Sequence, residues 1–167
     1  MSNEKRSFEA YEYDINISPG YYDKVLDKGG IQAMWHELKF RNVSDFIQGG
    51  SGKSLLDIGC GPGSFSRFLD PQCVYTGTDF SAAQIQYATE RYGGDNRDFK
   101  VTLAGEPWPF EDASFDYCSA LELIEHLNAE EIHGLLSEAA RVLRPGGRFL
   151  LSTPNYVSLW PLLEMIV

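Results

Sequence analysis

The stretch Leu55–Ser66, LLDIGCGPGSFS, sets three glycines and a proline directly behind a short apolar run that contains one aspartate, Asp57. Such a run followed by clustered glycines reads as a buried strand entering a tight turn. At Gly59, Gly61 and Gly63 the missing Cβ lets the backbone bend sharply and come within hydrogen-bond range of a ligand. The ligand sought is one that needs bare backbone on one side and a carboxylate on the other.

Outward from this turn, strands and helices alternate. "SLLDI" and "CVYTGT" read as strands, and Ser81–Tyr92, SAAQIQYATERY, as a helix with Ser81 at its N-cap. "FKVTLA", "FDYCSA" and "RFLLS" add three more strands. Between the last two, Asn128 and Glu131 stand at capping-box spacing, and Ile132, Leu135, Leu136, Ala139 and Leu143 share one helical face. The Arg144–Gly147 segment, RPGG, is expected to end that helix in a turn. Ahead of the glycines, Tyr21–Gln48 reads as helical. Ile31, Met34, Trp35, Leu38, Val43, Phe46 and Ile47 form its expected buried stripe. The chain thus divides into a polar lead-in (1–20), N-terminal helices (21–48) and the alternating unit (49–167). The fold class implied is α/β: a doubly wound, mostly parallel sheet with helices on both faces.

Bulk properties bound the function. With 167 residues, 43% hydrophobic and 23% charged, the chain is the size of one globular domain. No apolar run approaches the roughly 20 residues of a membrane helix, and the N-terminus has no secretion-signal core, so a cytoplasmic setting is expected. Cys60, Cys73 and Cys118 show no CxxC spacing, which argues against a disulfide framework or a zinc knuckle. A net charge of −10 disfavours nucleic acid as a partner.

In such a sheet, ligands bind beyond the carboxyl ends of the strands, and the first strand-to-helix turn is the usual place. The helix expected after the glycines would offer free N–H groups. Asp79 falls at the end of the second strand, close to the ~20-residue offset at which an acid takes ribose hydroxyls. A dinucleotide is the rival ligand. Its fingerprint asks for glycine where Ser64 stands, and it has no use for Asp57, whose charge would repel a pyrophosphate. A nucleoside with a positive end fits better.

Four segments in order, LLDIGCGPGSF, GTDFSAAQIQYA, WPFEDASFDYCSALELIEHL and EAARVLRPGGRFLLSTPN, resemble class I S-adenosylmethionine-dependent methyltransferases of the type 11 kind over roughly two thirds of the chain. The resemblance implies S-adenosylmethionine, or S-adenosylhomocysteine after transfer, along the sheet's carboxyl edge. Its amino acid moiety would lie against Gly59, Cys60, Gly61 and Gly63, with Asp57 facing the ammonium. Asp79 would hold the ribose hydroxyls, Phe80 would lie along the adenine, Gly105 and Glu106 would edge the base, and Leu121 would flank the methionine end. Where the family often has Asp, this chain has Ala104. The helices over residues 21–48 would form a lid, with Tyr21 or Tyr22 near the methionine carboxylate.

Glu122, Glu125 and His126 follow the fourth strand and share one face if that segment is helical. As catalytic candidates they offer a divalent-metal set, with His126 as an alternative general base. They resemble the E-x-x-E-H of small-RNA 2′-O-methyltransferases and quinone-biosynthesis O-methyltransferases. The competing expectation is a charged helix start with no metal and His126 packed beside the cofactor pocket.

The fold that the resemblance implies continues past the fifth strand, so the chain is expected either to be a fragment or to take the missing wall from a partner, with the apolar tail Leu159–Val167 and the exposed fifth strand open to self-association. The function expected is methyl transfer to a small-molecule acceptor, at oxygen first, with nitrogen and carbon left open. The alternatives are an inactive cofactor-binding module or fragment needing a partner, and, ranked last, a nicotinamide-dependent oxidoreductase.

Overall fold

The computed structural model describes residues 17–47, 52–103 and 106–154. The expectations for Ala104, Gly105, the tail from Leu159 and the first part of the lead-in lie outside these residues. Two helices come first, α1 (Tyr21–Lys28) and α2 (Ile31–Phe46), then β1 (Ser54–Ile58) and a short 3-10 turn at Ser64–Phe68. There follow β2 (Val74–Asp79), α3 (Ala82–Tyr92), β3 (Arg97–Val101) and β4 (Phe115–Leu121). A 3-10 turn at Ile124–His126, α4 (Ala129–Val142) and β5 (Leu143–Ser152) complete the order. No helix among these residues is long and apolar enough to cross a membrane.

The strands form one sheet in the order β3-β2-β1-β4-β5, and every neighbouring pair is parallel. This is the doubly wound α/β sheet that the alternating pattern implies. The chain runs outward from β1 through β2 to β3, then returns to place β4 on β1's other side. A crevice therefore opens between the carboxyl ends of β1 and β4, where connections leave in opposite directions.

Strand parity sorts the core into two layers, except that Phe115 and Tyr117, two apart on β4, fall on opposite faces where the register shifts between them. Leu55, Tyr75, Phe99 and Tyr117 pack with Phe40, Phe65, Ile85 and Ala88 on one face. Leu56, Ile58, Phe115, Cys118 and Ala120 pack with Leu135, Ala139 and Val142 of α4 on the other. Successive residues of a strand point to opposite faces, so two adjacent leucines serve two different cores.

Local chemistry explains the helix boundaries. The Ser81 hydroxyl accepts from the Gln84 N–H, capping α3. Asn128 and Glu131 close the expected capping box on α4. The 21–48 segment is broken at Gly29 and Gly30, both at positive φ. On α2 the expected stripe is wrong in most positions. Ile31, Met34 and Leu38 are 52%, 56% and 52% exposed and Phe46 is also exposed, while Ala33, His36 and Phe40 are buried. The helix turns a mixed polar and aromatic face to the sheet, a choice that hydropathy spacing does not register. Leu136 on α4 is likewise exposed, and Val142 takes the interior position.

The RPGG segment also departs from expectation. It is an irregularity inside β5, not a turn before it: Phe115 pairs with Leu143 and Tyr117 with Arg148, so the intervening residues bulge out around Gly146 at φ +83°. After β1, only a five-residue 3-10 turn follows the glycines, where a full helix with free N–H groups was expected.

The helical roof is tied down by a buried acid that sequence reading passes over. Asp23 of α1 is 3% exposed. It accepts hydrogen bonds from Ser64 Oγ at 2.7 Å, Tyr92 Oη at 2.6 Å and Tyr87 Oη at 2.9 Å, with Arg67 at 3.5 Å. One carboxylate thus joins α1 to the 3-10 turn and to α3. Burial and this carboxylate raise the pKa of both tyrosines, Tyr87 and Tyr92. Replacing Asp23 by Ala leaves three hydroxyls short of an acceptor and should cost about 3 kcal/mol, whereas Tyr92→Phe should cost about 1 kcal/mol. Chemical denaturation of both variants checks the ratio, and equal small losses would show that Asp23 is not the anchor.

Candidate active site

The crevice at the carboxyl edge is a cleft of about 1160 Å³. Single-ligand pockets run to roughly 1,000 Å³, so there is room for a nucleoside-sized ligand and a second molecule. Its floor is the turn after β1. Gly61 (φ +52°) and Gly63 (φ +75°) lie in the left-handed region, and a Cβ on Gly63 would come within 2.7 Å of the Phe99 ring. Thr78 C=O accepts from both Gly59 N–H (2.8 Å) and Cys60 N–H (2.9 Å), which fastens the turn to β2.

Asp79 completes that attachment. One carboxylate oxygen accepts from Gly61 N–H and the other from Ser81 N–H, each at 2.9 Å. The acid at the end of β2 thereby fixes the glycine turn and the start of α3 together. Asp57 is 3% exposed and accepts from Ser119 Oγ of β4 at 2.6 Å and Tyr75 Oη of β2 at 2.8 Å. Burial pushes its pKa up to about 6, against the pull of those two hydroxyls. Neither Tyr75 nor Ser119 stands out in the sequence. Strand parity is the signal that could have found them, because both share a sheet face with Asp57.

The structure brings most of the expected residues into this one cleft. Asp57, Gly59, Cys60, Gly61, Asp79, Phe80, Glu106, Leu121, Tyr21 and Tyr22 all line it, as do Glu122, Glu125 and His126. Gly63 stands behind the wall against Phe99, and Gly105 is outside the described residues. The loop that carries Glu106 is held by α4: Glu138 accepts from Trp108 N–H, and Arg141 donates to the carbonyls of Trp108 and Phe110.

The structure does not gather Glu122, Glu125 and His126 into one ligand set. No group of three or more metal-ligating side chains occurs among the described residues. The shared helical face does not exist, because Glu122 sits at φ +55° and only a three-residue 3-10 turn follows. Left-handed backbone at a non-glycine residue costs about 1–3 kcal/mol. Here it is held by Glu122 N–H to Ser152 C=O (3.0 Å) and Ser152 Oγ to the Glu122 carboxylate (2.7 Å). Glu125 turns toward Thr153, whose hydroxyl lies 3.4 Å away. His126 is solvent-exposed at the rim.

Charge in the cleft is lopsided. Its described lining holds seven carboxylates, Asp57, Asp79, Glu106, Glu122, Glu125, Glu131 and Glu138, against one ammonium, Lys39. Such a cleft attracts cations. The roof adds His36, 8% exposed, with its Nδ1 sealed from solvent and without a hydrogen-bond partner among the described residues. Burial and then the Lys39 charge pull the His36 pKa down to about 4, so the ring is neutral at physiological pH.

Comparison with known proteins places this cleft in a family. Residues 56–151 match the family model described as a methyltransferase domain. The chain is 30% identical over 141 residues to the O-methyltransferase rstn1 of Aspergillus nomiae, covering 81% of this chain and 61% of that protein. Among solved structures, a putative methyltransferase of Haloferax volcanii, solved in complex with the Trm112 methyltransferase activator, matches with TM-score 0.68 and 27% identity over 85% of this chain and 60% of that one. Phosphoethanolamine N-methyltransferase 2 of Haemonchus contortus, solved with S-adenosyl-L-methionine, matches with TM-score 0.60 and 29% identity over 71% of this chain and 27% of that one. The chain spans about half the length of the curated relatives it matches. The sheet order, the glycine turn and the family match together show that the chain belongs to the class I S-adenosylmethionine-dependent methyltransferases.

Proposed function

We propose that this chain carries the cofactor site and reaction cleft of an S-adenosylmethionine-dependent methyltransferase that methylates a small molecule, at oxygen, by in-line displacement. The observation that carries the reading is the joining of the glycine turn to Asp79 inside a cleft whose charge suits a sulfonium ligand. When bound, the cofactor supplies an activated methyl group with a neutral thioether as leaving group. The relative named as an O-methyltransferase supports oxygen as the acceptor atom.

The protein's own part is binding and alignment. Asp57, held by Tyr75 and Ser119, presents its remaining lone pairs to the cofactor's ammonium. Gly59, Cys60 and Gly61 would let the amino acid moiety approach the backbone, and Gly63 behind them gives the turn its left-handed bend. Asp79 accepts two backbone N–H bonds, and its carboxylate, with about four lone-pair sites in all, would also take the ribose hydroxyls. Phe80 would lie along the adenine, Glu106 would edge the base, and Leu121 would flank the methionine end. Helices α1 and α2, within residues 21–48, roof the site with Tyr21 and Tyr22 and exclude water, and residues 49–167 carry the cofactor-binding unit.

Calorimetric titration with S-adenosylmethionine and with NAD tests this reading, and binding of NAD alone would overturn it. Asp79→Ala should weaken S-adenosylmethionine binding by about 2–3 kcal/mol through loss of charge-assisted hydrogen bonds and of the Gly61 anchor. Gly61→Val should be worse, since a branched side chain resists positive φ. Unchanged affinity in either variant would reduce the turn to a structural feature.

Asp57 predicts two pH effects of opposite sign. Its folded pKa of about 6 lies above the ordinary 3.8, so its contribution to stability is full below about pH 4 and is lost as pH rises through 6. The difference amounts to about 3 kcal/mol. Cofactor affinity should move the other way and fall as pH drops through 6, because only the carboxylate attracts an ammonium. Denaturation and calorimetry at pH 5 and 7.5 check both, and Asp57→Asn should flatten both.

A further inference from the structure

Lys39 is the one lysine or arginine among the described residues of the cleft wall, and among those residues it makes no ion pair. Its Nζ lies 4.6 Å from the Trp35 ring centroid and 5.1 Å from that of Phe40. Aromatic faces hold an ammonium in place without neutralising it, so a ligand can meet the charge without breaking a salt bridge. Burial lowers the Lys39 pKa, while Glu122, Glu125 and Asp57 oppose that and favour the charged form. The amine is thus within electrostatic reach of both Asp57 on β1 and the Glu122–Glu125 segment after β4, where the cofactor's methionine end and the cleft mouth meet.

Among the described residues, the same wall has no strong base in its interior. His36 is a neutral ring with a conjugate acid at about 4, too weak to deprotonate an alcohol or an ammonium. Glu122 and Glu125 face the hydroxyls of Ser152 and Thr153, and His126 stands at the exposed rim. The phenol of Tyr22 on α1 is pushed up, by burial first. An acceptor must therefore bring its own acidity. Tyr21, Tyr22, Trp35 and Trp108 give the cleft flat aromatic walls.

Resting on the methyltransferase reading above, we propose that Lys39 holds the acceptor oxygen as its anion, and that the acceptors are phenols or enols on flat conjugated frames. Alcohols and amines are not turned over. The acceptor hydroxyl releases its proton to solvent, and the resulting oxyanion sits beside Lys39. An oxygen electron pair forms the O–C bond to the methyl carbon as the C–S bond breaks, and the sulfur keeps that bond's pair. Oxyanion and sulfonium become a neutral ether and a neutral thioether. Lys39 keeps its proton throughout.

The test uses the full-length protein, 4-nitrophenol as an optical probe, and a panel of para-substituted phenols with benzyl alcohol and benzylamine. Bound 4-nitrophenol should show its phenolate absorption band at a pH where the free compound is mostly protonated, and Lys39→Met and Lys39→Gln should abolish that shift. S-adenosylmethionine affinity should stay within about twofold of wild type in both variants. Methyl transfer to the least acidic phenols should fall about 100-fold, with smaller losses for phenols already ionised. Four results would overturn the proposal: an unchanged bound spectrum in Lys39→Met, a loss of S-adenosylmethionine affinity beyond about tenfold, turnover of benzyl alcohol or benzylamine by wild type, or no transfer to any phenol by a chain that binds the cofactor. Failure of wild type to bind S-adenosylmethionine would sink the methyltransferase reading instead, and the 4-nitrophenol spectrum would still decide the role of Lys39.

Discussion

A carboxylate with almost no solvent contact sits where three strands meet, and the site is organised around it. Asp57 on β1 accepts from Tyr75 on β2 and Ser119 on β4, so one acid bridges the central strand to both neighbours. Burying a charge is unfavourable unless it is hydrogen-bonded. Two hydroxyls offset that cost only in part, which is why the pKa rises to about 6. The residual tension is useful at a binding site, because a cationic ligand relieves it.

From that centre the cleft is assembled by acids working through the backbone. Asp79 joins the glycine turn to the start of α3, and Asp23 joins α1 to the 3-10 turn and to α3. These carboxylates act as positioning groups: each gathers donors from elements far apart in sequence, so the turn and the roof hold fixed places relative to the sheet. Glu122 extends the scheme to β5 through Ser152, at the cost of a left-handed backbone. Acids in this part of the chain do structural work and set a negative potential at the same time.

That potential makes the exception informative. A single ammonium held between aromatic rings, with carboxylates around it and none in contact, is the one place in the described wall where negative charge would be welcome. A cleft that attracts a sulfonium cofactor would repel an anionic acceptor everywhere else. Placement of one cation can therefore select both the orientation and the chemical class of the acceptor.

Much of this was legible along the chain. Glycines clustered behind an apolar run, Asp57 before them, Asp79 at the next strand's end, and capping residues at Ser81 and Asn128 are local signals, because a tight turn, a cap and a strand each depend on a few adjacent residues. The α/β class follows from their alternation. What only the tertiary structure decided depends on partners distant in sequence. The α2 periodicity marks Ile31, Met34 and Leu38, yet the helix buries Ala33, His36 and Phe40, because the face that docks is chosen by what the sheet and α1 present to it. Glu122, Glu125 and His126 look like a ligand set only on a helix, and the pairing of Glu122 with β5 removes that helix. Asp23, Tyr75, Ser119 and Lys39 carry no local signature. Their roles arise from hydrogen bonds and fields across the fold, which sequence spacing does not encode.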